Sequence, residues 1–281
     1  MKCTIGICSY NNFSKLTVAI ASIQQHATTD YELLIVDNNS TDDNTLKLLH
    51  KLHDSRTARV IFNPDNKRYA GAVNQIFKEA KNEYVIYCDN DIQILSPRFD
   101  EVFIGLLENN KDIGWVSSSR NGAMPLDFGV YEEVSWAVGC CFASTKKIFE
   151  AVGGIDETLL HQNDPDFCIR LRMAGYRVVA SKVVHLHHNC SSTNSPEQQD
   201  NINKGVMQFI NKWNKYFLGV TGDYFSPAVM RWDDFPLNRV HACKYFKSLN
   251  LNKNPEILSY RGQKYDLIKI PMFVGSYRNL Y

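Results

Sequence analysis

Tyr84-Val85-Ile86-Tyr87-Cys88-Asp89-Asn90-Asp91 is the stretch on which the reading of this chain turns. The apolar run Tyr84 to Cys88 suits a strand buried on both faces, as in a parallel sheet covered by helices. It ends in two carboxylates one residue apart. That pair delivers hard oxygen ligands to the strand's C-terminal edge, where a divalent cation can bridge them to a diphosphate. Turn chemistry alone also produces Asp-x-Asp, because Asp and Asn crowd into turns after strands. The order of the surrounding elements separates the two readings.

Upstream, Cys3 to Cys8 is a second continuous apolar run, ended by Ser9-Tyr10-Asn11-Asn12, and Leu16, Ala19, Ile20 and Ile23 then recur at helical spacing. Glu32 to Asp37 reads as a strand closed by Asn38-Asn39-Ser40-Thr41-Asp42-Asp43, and Leu46, Leu48, Leu49 and Leu52 as the next helix. Arg59 to Phe62 is a third strand before Asn63-Pro64-Asp65-Asn66, and a helix from about Ala70 to Ala80 leads to the Asp89 strand. Strands alternating with helices imply a parallel, doubly wound sheet with right-handed crossovers. Ligands bind such sheets beyond the strands' carboxyl ends, so Ser9-Tyr10-Asn11, Asp37 and Asp89/Asp91 should gather on one rim. The chain carries no Walker sequence and no Gly-x-Gly-x-x-Gly, which excludes the usual mononucleotide and dinucleotide phosphate loops.

Beyond Asp91 the pattern loosens. Arg98 to Leu107 predicts a helix, Ile113 to Ser118 a strand, Val134 to Phe142 a strand through Gly139, and Lys146 to Val152 a short helix stopped by Gly153-Gly154. Asp164-Pro165-Asp166 opens a strongly punctuated helix, with a carboxylate at the expected N-cap, Pro in the first turn and Gly175 at the end. Arg177 to Ala180 and Val183 to His187 predict two further strands. Val206, Phe209, Ile210, Trp213 and Phe217 form an amphipathic stripe suited to docking a tail helix onto the preceding domain.

With 281 residues, 44% of them hydrophobic and 22% charged, the chain can bury a sizeable core. A formal net charge of +1 gives no argument for nucleic acid, and no nucleic-acid module is recognisable. Charge is uneven: residues 205–281 hold 11 Lys/Arg against 5 Asp/Glu. Lys244, Lys247, Lys253, Lys264 and Lys269, interleaved with aromatics, suit packing, a second subunit or peripheral contact with anionic lipid. The eight cysteines lack metal-ligand spacing and several lie in apolar segments, which points to a reducing compartment. Without a signal-like opening or an apolar run of about 20 residues, the expectation is a cytoplasmic protein, peripheral at most on the inner face of a membrane.

The order of motifs resembles the family-2 glycosyltransferases of the GT-A fold over residues 1–195. The resemblance rests on Ile7-Cys8-Ser9-Tyr10-Asn11, Val36-Asp37-Asn38-Asn39-Ser40, Asn66-Lys67-Arg68-Tyr69-Ala70-Gly71-Ala72-Val73-Asn74, Tyr87-Cys88-Asp89-Asn90-Asp91, Gly153-Gly154-Ile155-Asp156-Glu157 and Asp164-Pro165-Asp166-Phe167-Cys168-Ile169-Arg170-Leu171. It implies an α/β GT-A architecture: a mixed, mainly parallel central sheet flanked by helices, with a C-terminal helical or irregular extension. Residues 1–200 would be the transferase domain, divided into a nucleotide-sugar half (1–95) and an acceptor half (96–200), and residues 201–281 the extension.

The resemblance also implies roles. Ser9, Tyr10 and Asn11 would pack on a nucleotide's ribose and base, and Asp37 would bond the base edge. Asn66, Gly71 and Asn74 would approach the nucleotide, with Asn90 between the two carboxylates, while Arg68, standing where the family often has Gly, would either reach a phosphate or reshape the loop. Asp89 and Asp91 would hold Mn²⁺ or Mg²⁺ on the diphosphate of a donor, most often a UDP-sugar in the family. Asp164 would be the general base for a hydroxyl acceptor on a glycan, lipid-linked saccharide or protein, in one inverting displacement. A family pattern His-x-x-Gly-x-Ser/Thr, matched by His187-His188-Asn189-Cys190-Ser191-Ser192 with Cys190 for Gly, makes His187 the expected third metal ligand and His185 the second choice. Trp136, Gly139 and Cys140 fall in the acceptor-side segment.

Two departures stand out. Asn163 replaces the Glu that usually precedes the base, and Arg68 stands where Gly is frequent. A binding protein on the same fold that has lost turnover is the rival reading, and Asn163 is its best support. A nucleotidyltransferase would want a Gly-rich basic loop, which Ser9-Tyr10-Asn11-Asn12 does not supply. Oligomeric association stays open.

Overall fold

The computed structural model describes residues 2–118, 129–134, 137–189, 196–217, 259–260 and 263–264. The first half is built as its apolar runs dictate: β1 (Lys2–Ser9), α1 (Phe13–His26), β2 (Asp30–Asp37), α2 (Asp43–Asp54), β3 (Arg59–Phe62), α3 (Arg68–Glu79), β4 (Tyr84–Asp89). The rest adds β5 (Ile92–Ile94), α4 (Phe99–Asn109), β6 (Ile113–Ser117), β7 (Tyr131–Glu133), β8 (Cys141–Thr145), α5 (Lys146–Ala151), α6 (Asn163–Met173), β9 (Arg177–Ser181), β10 (Leu186–His188) and α7 (Pro196–Phe217). Ser259–Tyr260 and Gln263–Lys264 pair as a separate small ribbon.

Eight strands form one mixed sheet in the order β3-β2-β1-β4-β8-β6-β9-β7. Pairs within β3-β2-β1-β4 are parallel, as is β6 with β9, whereas β8 runs antiparallel to β4 and β6, and β7 antiparallel to β9. Alternation along each strand feeds two cores on opposite faces. Ile5, Ile7, Ile35, Ile86 and Cys88 pack with Leu16, Ile23, Phe99 and Phe103 of α1 and α4. Leu34, Val36, Val85 and Tyr87 pack with Val73, Phe77, Phe149 and Phe167 of α3, α5 and α6. Trp115 stacks on Phe142 at 3.7 Å in that second core. The described cysteines are free and mostly buried, which agrees with reading them as small hydrophobes.

Parallel register sets the rim. Ser9 pairs with Asp37, and Cys8 with Asp89, so three polar strand ends lie side by side as expected. In the later half, β5 and β7 were not expected, the strand expected over Val183 to His187 is confined to Leu186–His188, and a third difference bears on the site. The strand predicted over Val134 to Phe142 is instead β8, starting at Cys141, and Gly139-Cys140 is a turn. Because β8 runs backwards beside β4, that turn stands next to Asp89, whose N–H donates to the Cys140 carbonyl at 2.8 Å. Trp136 lies outside the described residues.

Helix α7 crosses residue 200 unbroken, so the expected boundary there falls inside a helix. Val206 and Phe209 of this helix are buried; the side chains of Ile210, Trp213 and Phe217 lie outside the described residues, as do Lys244, Lys247, Lys253 and Lys269, and Lys264 is described only in the small ribbon. Gly205 permits the approach, since a Cβ there would sit 2.3 Å from the His161 backbone nitrogen. Gln208 accepts from the Leu160 N–H at 2.9 Å. The ammonium of Lys212 meets Asp156 and the fully buried Asp166, the latter at 2.6 Å. Arg170 holds the other oxygen of Asp166 at 2.9 Å. Lys212→Met should therefore destabilise the fold by about 1–3 kcal/mol, because Asp166 keeps only one of its two cationic partners. Thermal unfolding checks this, and an unchanged midpoint would mean that α7 docks through its apolar face alone. Among the described residues, no helix is long and apolar enough to cross a membrane.

Candidate functional site

Strand β4 delivers Asp89 to the rim, a two-residue turn follows, and β5 begins at Ile92. Strand β10 pairs antiparallel with β5, His188 opposite Ile92, and the Asn189 N–H donates to the Asp91 carbonyl at 2.9 Å. That ribbon brings His188 Nε2 to 3.2 Å from Asp91 and 3.6 Å from Asp89. One ligand atom from each of Asp89, Asp91 and His188 lies within 4.8 Å of the others. Two carboxylates and an imidazole fit a divalent cation such as Mn²⁺. The carboxyl of Asp89 is pushed up to about 7, first by burial, with His188 opposing and Asp91 adding repulsion. Such crowding of negative charge is what a bound cation relieves.

The histidine facing these carboxylates is thus His188, and the expectation for His187 and His185 is corrected. Alternation does put His185 and His187 on one side, but β5 decides which side is inward. Ile92 and Ile94 are buried, so their partners His188 and Leu186 turn inward with them, while exposed His187 pairs with exposed Gln93. His188→Ala should weaken Mn²⁺ binding by about tenfold or more, and His187→Ala should leave it unchanged. Calorimetric Mn²⁺ titration of both variants checks this; equal effects would remove His188 from the cation site.

Asp164 lies in the first turn of α6, whose N-cap is Gln162 in the left-handed region, so the expected capping role for Asp164 does not hold. Its Oδ2 accepts from the Gly139 N–H at 2.8 Å and its Oδ1 from the Tyr69 hydroxyl at 3.1 Å. Burial raises its carboxyl to about 6, with Gly139, Tyr69 and His188 all pulling the other way. A half-buried carboxylate poised near neutrality beside a cation site has the properties of a general base.

The nucleotide-side residues divide. Tyr10 is exposed, and the buried Ser9 hydroxyl has no partner among the described residues, so both are available to a ligand. Asp37 is 1% exposed and closes a turn, accepting from the Ser40 N–H at 3.0 Å and from its hydroxyl at 2.5 Å. Asn11 braces the same loop by accepting from the N–H groups of Thr41 and Asp42. Asn74 serves structure: it bonds both backbone groups of Ile155 and the Glu157 carboxylate, locking α3 to the Gly153-Gly154 turn. Gly71 sits on α3 facing Lys67 and Glu157. Asn66 and Arg68 are exposed, Asn66 accepting from the Arg68 N–H at 2.8 Å, and half-buried Asn90 occupies the turn between the carboxylates. Sequence reasoning missed His188, Tyr69 and Tyr87, and also Lys15, whose ammonium lies 3.8 Å from Asp91 and donates to the Asn189 carbonyl.

Residues 4–166 match the sequence profile described as Glycosyl transferase family 2, more than half of the chain and including every carboxylate just described. The chain belongs to glycosyl transferase family 2. It is 23% identical over 231 residues to the O-antigen biosynthesis protein RfbC of Myxococcus xanthus, covering 70% of this chain and 18% of RfbC. The chain thus spans about a fifth of the length of that curated relative. Among solved structures it is similar to GalNAc-T7 crystallised with UDP, GalNAc and Mn²⁺, at a TM-score of 0.65 and 11% identity over 88% of this chain and 54% of that one. It is also similar to the mannosyltransferase PcManGT of Pyrobaculum calidifontis in complex with GDP-Man and Mn²⁺, at a TM-score of 0.58 and 16% identity, covering 81% and 72%. The fold is therefore GT-A.

Within this family-2 frame the two departures have local explanations. Asn163 is buried and its amide donates to the carbonyls of Asp156 and Leu159, so it braces the loop before α6. Arg68 takes a φ of 58° at the entry to α3, a conformation glycine adopts freely, and its carbonyl is held by the Asn38 amide at 3.1 Å.

Proposed function

We propose that this family-2 chain is a Mn²⁺-dependent inverting glycosyltransferase that moves a sugar from a nucleotide-diphosphate donor, a UDP-sugar before others, to a hydroxyl of a glycan, lipid-linked saccharide or protein. The observation that carries the reading is the Asp89-Asp91-His188 cluster, with the Gly139-Cys140 turn linking Asp89 to the Asp164 carboxylate. The imidazole favours Mn²⁺ over Mg²⁺, which prefers an all-oxygen shell. When bound, the cation supplies positive charge to the leaving diphosphate. Asp89, Asp91 and His188 orient that end of the donor, Tyr10 and Asp37 receive its base, and Asp164 takes the acceptor hydroxyl's proton as its oxygen attacks the far face of the sugar. RfbC is named an O-antigen biosynthesis protein, which supports a glycan or lipid-linked acceptor here. Peripheral contact of the basic C-terminal region with a membrane is part of the same proposal.

The test is a panel of UDP-, GDP- and dTDP-sugars with Mn²⁺ or EDTA, read by thermal stabilisation and by slow donor hydrolysis. One nucleotide class should stabilise by about 2.7 kcal/mol at a hundredfold excess over Kd, in Mn²⁺ only. Stabilisation without any hydrolysis would favour the binding protein that has lost turnover.

The pH profile follows from Asp164. A base works as its carboxylate, so turnover rises with pH through the folded-state value and levels above it. The acid limb of kcat/KM should lie near about 6, drawn somewhat lower by the bound cation, and not at the ordinary 3.8. A profile flat down to pH 4.5 would remove Asp164 as the base.

A further inference from the structure

We propose that Tyr69 is a positioning residue of the reaction: its hydroxyl fixes the Asp164 carboxylate against Gly139, and its ring on Tyr87 ties that orientation to Asp89. The inference rests on Asp164 being the base.

The geometry begins in the loop before α3. Asn63 donates to Asn38 at 3.0 Å, Asn38 donates to the Arg68 carbonyl, and Arg68 turns the chain through a left-handed residue. The next side chain, Tyr69, is thereby aimed beneath the rim. Its hydroxyl lies 3.1 Å from Asp164 Oδ1 and 3.4 Å from the Gly139 carbonyl. One hydroxyl proton serves one acceptor at a time, and a charged carboxylate is the stronger acceptor. With the Gly139 N–H on Oδ2, each oxygen of Asp164 has one fixed donor. The carboxylate cannot rotate, and a lone pair on each oxygen remains for a substrate hydroxyl.

The same ring packs edge-on against Tyr87, centroids 5.7 Å apart. Tyr87 donates to Asp89 Oδ1 at 2.6 Å. Half-buried Tyr69 and buried Tyr87 thus each grip one carboxylate, one on the proton-accepting side and one on the cation side. No side chain fits at residue 139, because a Cβ there would stand 2.3 Å from Asp164 Oδ1 and 2.4 Å from the Tyr69 hydroxyl.

Tyr69→Phe keeps the ring and removes only the donor. Three measurements decide its role: Mn²⁺-dependent UDP binding, donor hydrolysis with the best substrate of the panel, and the titration of Asp164 by difference infrared spectroscopy against Asp164→Asn. UDP affinity and donor KM should stay within about twofold, while kcat falls by roughly ten- to a hundredfold as the carboxylate loses its orientation. The Asp164 titration should move to higher pH, since a donor to the ionised form is gone. The thermal unfolding midpoint of Tyr69→Phe, measured beside the titration, shows separately whether that variant folds; it should stay at the wild-type value. A merely structural tyrosine would lower UDP affinity and thermal stability together and leave the titration in place, which overturns the proposal. So does a wild-type kcat in Tyr69→Phe when Asp164→Asn is inactive. A fully active Asp164→Asn would instead overturn the assignment of the base.

Discussion

Asp164→Asn should lower turnover by roughly 10³-fold, within the range a positioned general base contributes, while Mn²⁺-dependent donor binding survives. The amide is nearly isosteric and can still accept from Tyr69 through its oxygen. Its nitrogen, however, faces the Gly139 N–H, which needs an acceptor at 2.8 Å. Some local repacking is therefore expected, and donor affinity is the control that separates lost chemistry from lost structure. The part of the acid limb set by Asp164 should vanish in this variant, leaving the part set by ionisation of Asp89 at the cation site. Comparable turnover in Asp164→Asn and wild type would shift attention to Asp166, but that carboxylate is fully buried and held by Arg170 and Lys212, out of reach of an acceptor.

Asp91→Ala should have the opposite signature. Removing a carboxylate that sits 3.2 Å from His188 and 3.8 Å from Lys15 leaves two cations or donors without their shared anion. Manganese should no longer enhance donor binding, and turnover should fall by about 10³-fold or more, as charge on the departing diphosphate goes unstabilised. Residual binding of UDP without metal should be unaffected or slightly stronger, since a negative charge facing the phosphates is gone. Calorimetry of UDP with and without Mn²⁺ checks both statements. Persistent manganese enhancement in Asp91→Ala would mean that Asp89 and His188 suffice, and would undo the three-residue site.

What was legible in the chain follows a physical division. Strands β1, β2 and β4 announce themselves because each is buried on both faces, so an unbroken apolar run is obligatory, and turn residues mark where it reaches the rim. Asp89 and Asp91 were legible for the same reason. Residues set by tertiary contacts were not. The turn at Gly139 is dictated by Asp164, 25 residues away, and nothing local distinguishes it from a strand interior. The inward histidine could be chosen only once Ile92 and Ile94 were known to face the core. Asn74 and Asn11 were assigned to the nucleotide by resemblance; in the fold Asn74 bonds Ile155 and the Glu157 carboxylate, and Asn11 bonds the loop at Thr41 and Asp42, partners distant in sequence. Tyr69 stood in the Asn66–Asn74 motif with no role of its own, because its partner Asp164 lies 95 residues further along the chain.

Strand β8 has one more consequence. A parallel strand offers the rim only its exit, but a reversed strand offers its entrance, so the chain approaching β8 arrives beside Asp89 and Asp164. That approach is pinned at two points: β7 pairs with β9, and the Gly139 N–H binds Asp164. The neighbouring Cys140 carbonyl accepts from the Asp89 N–H, so one reversal of strand direction couples both carboxylates of the candidate site through a single turn.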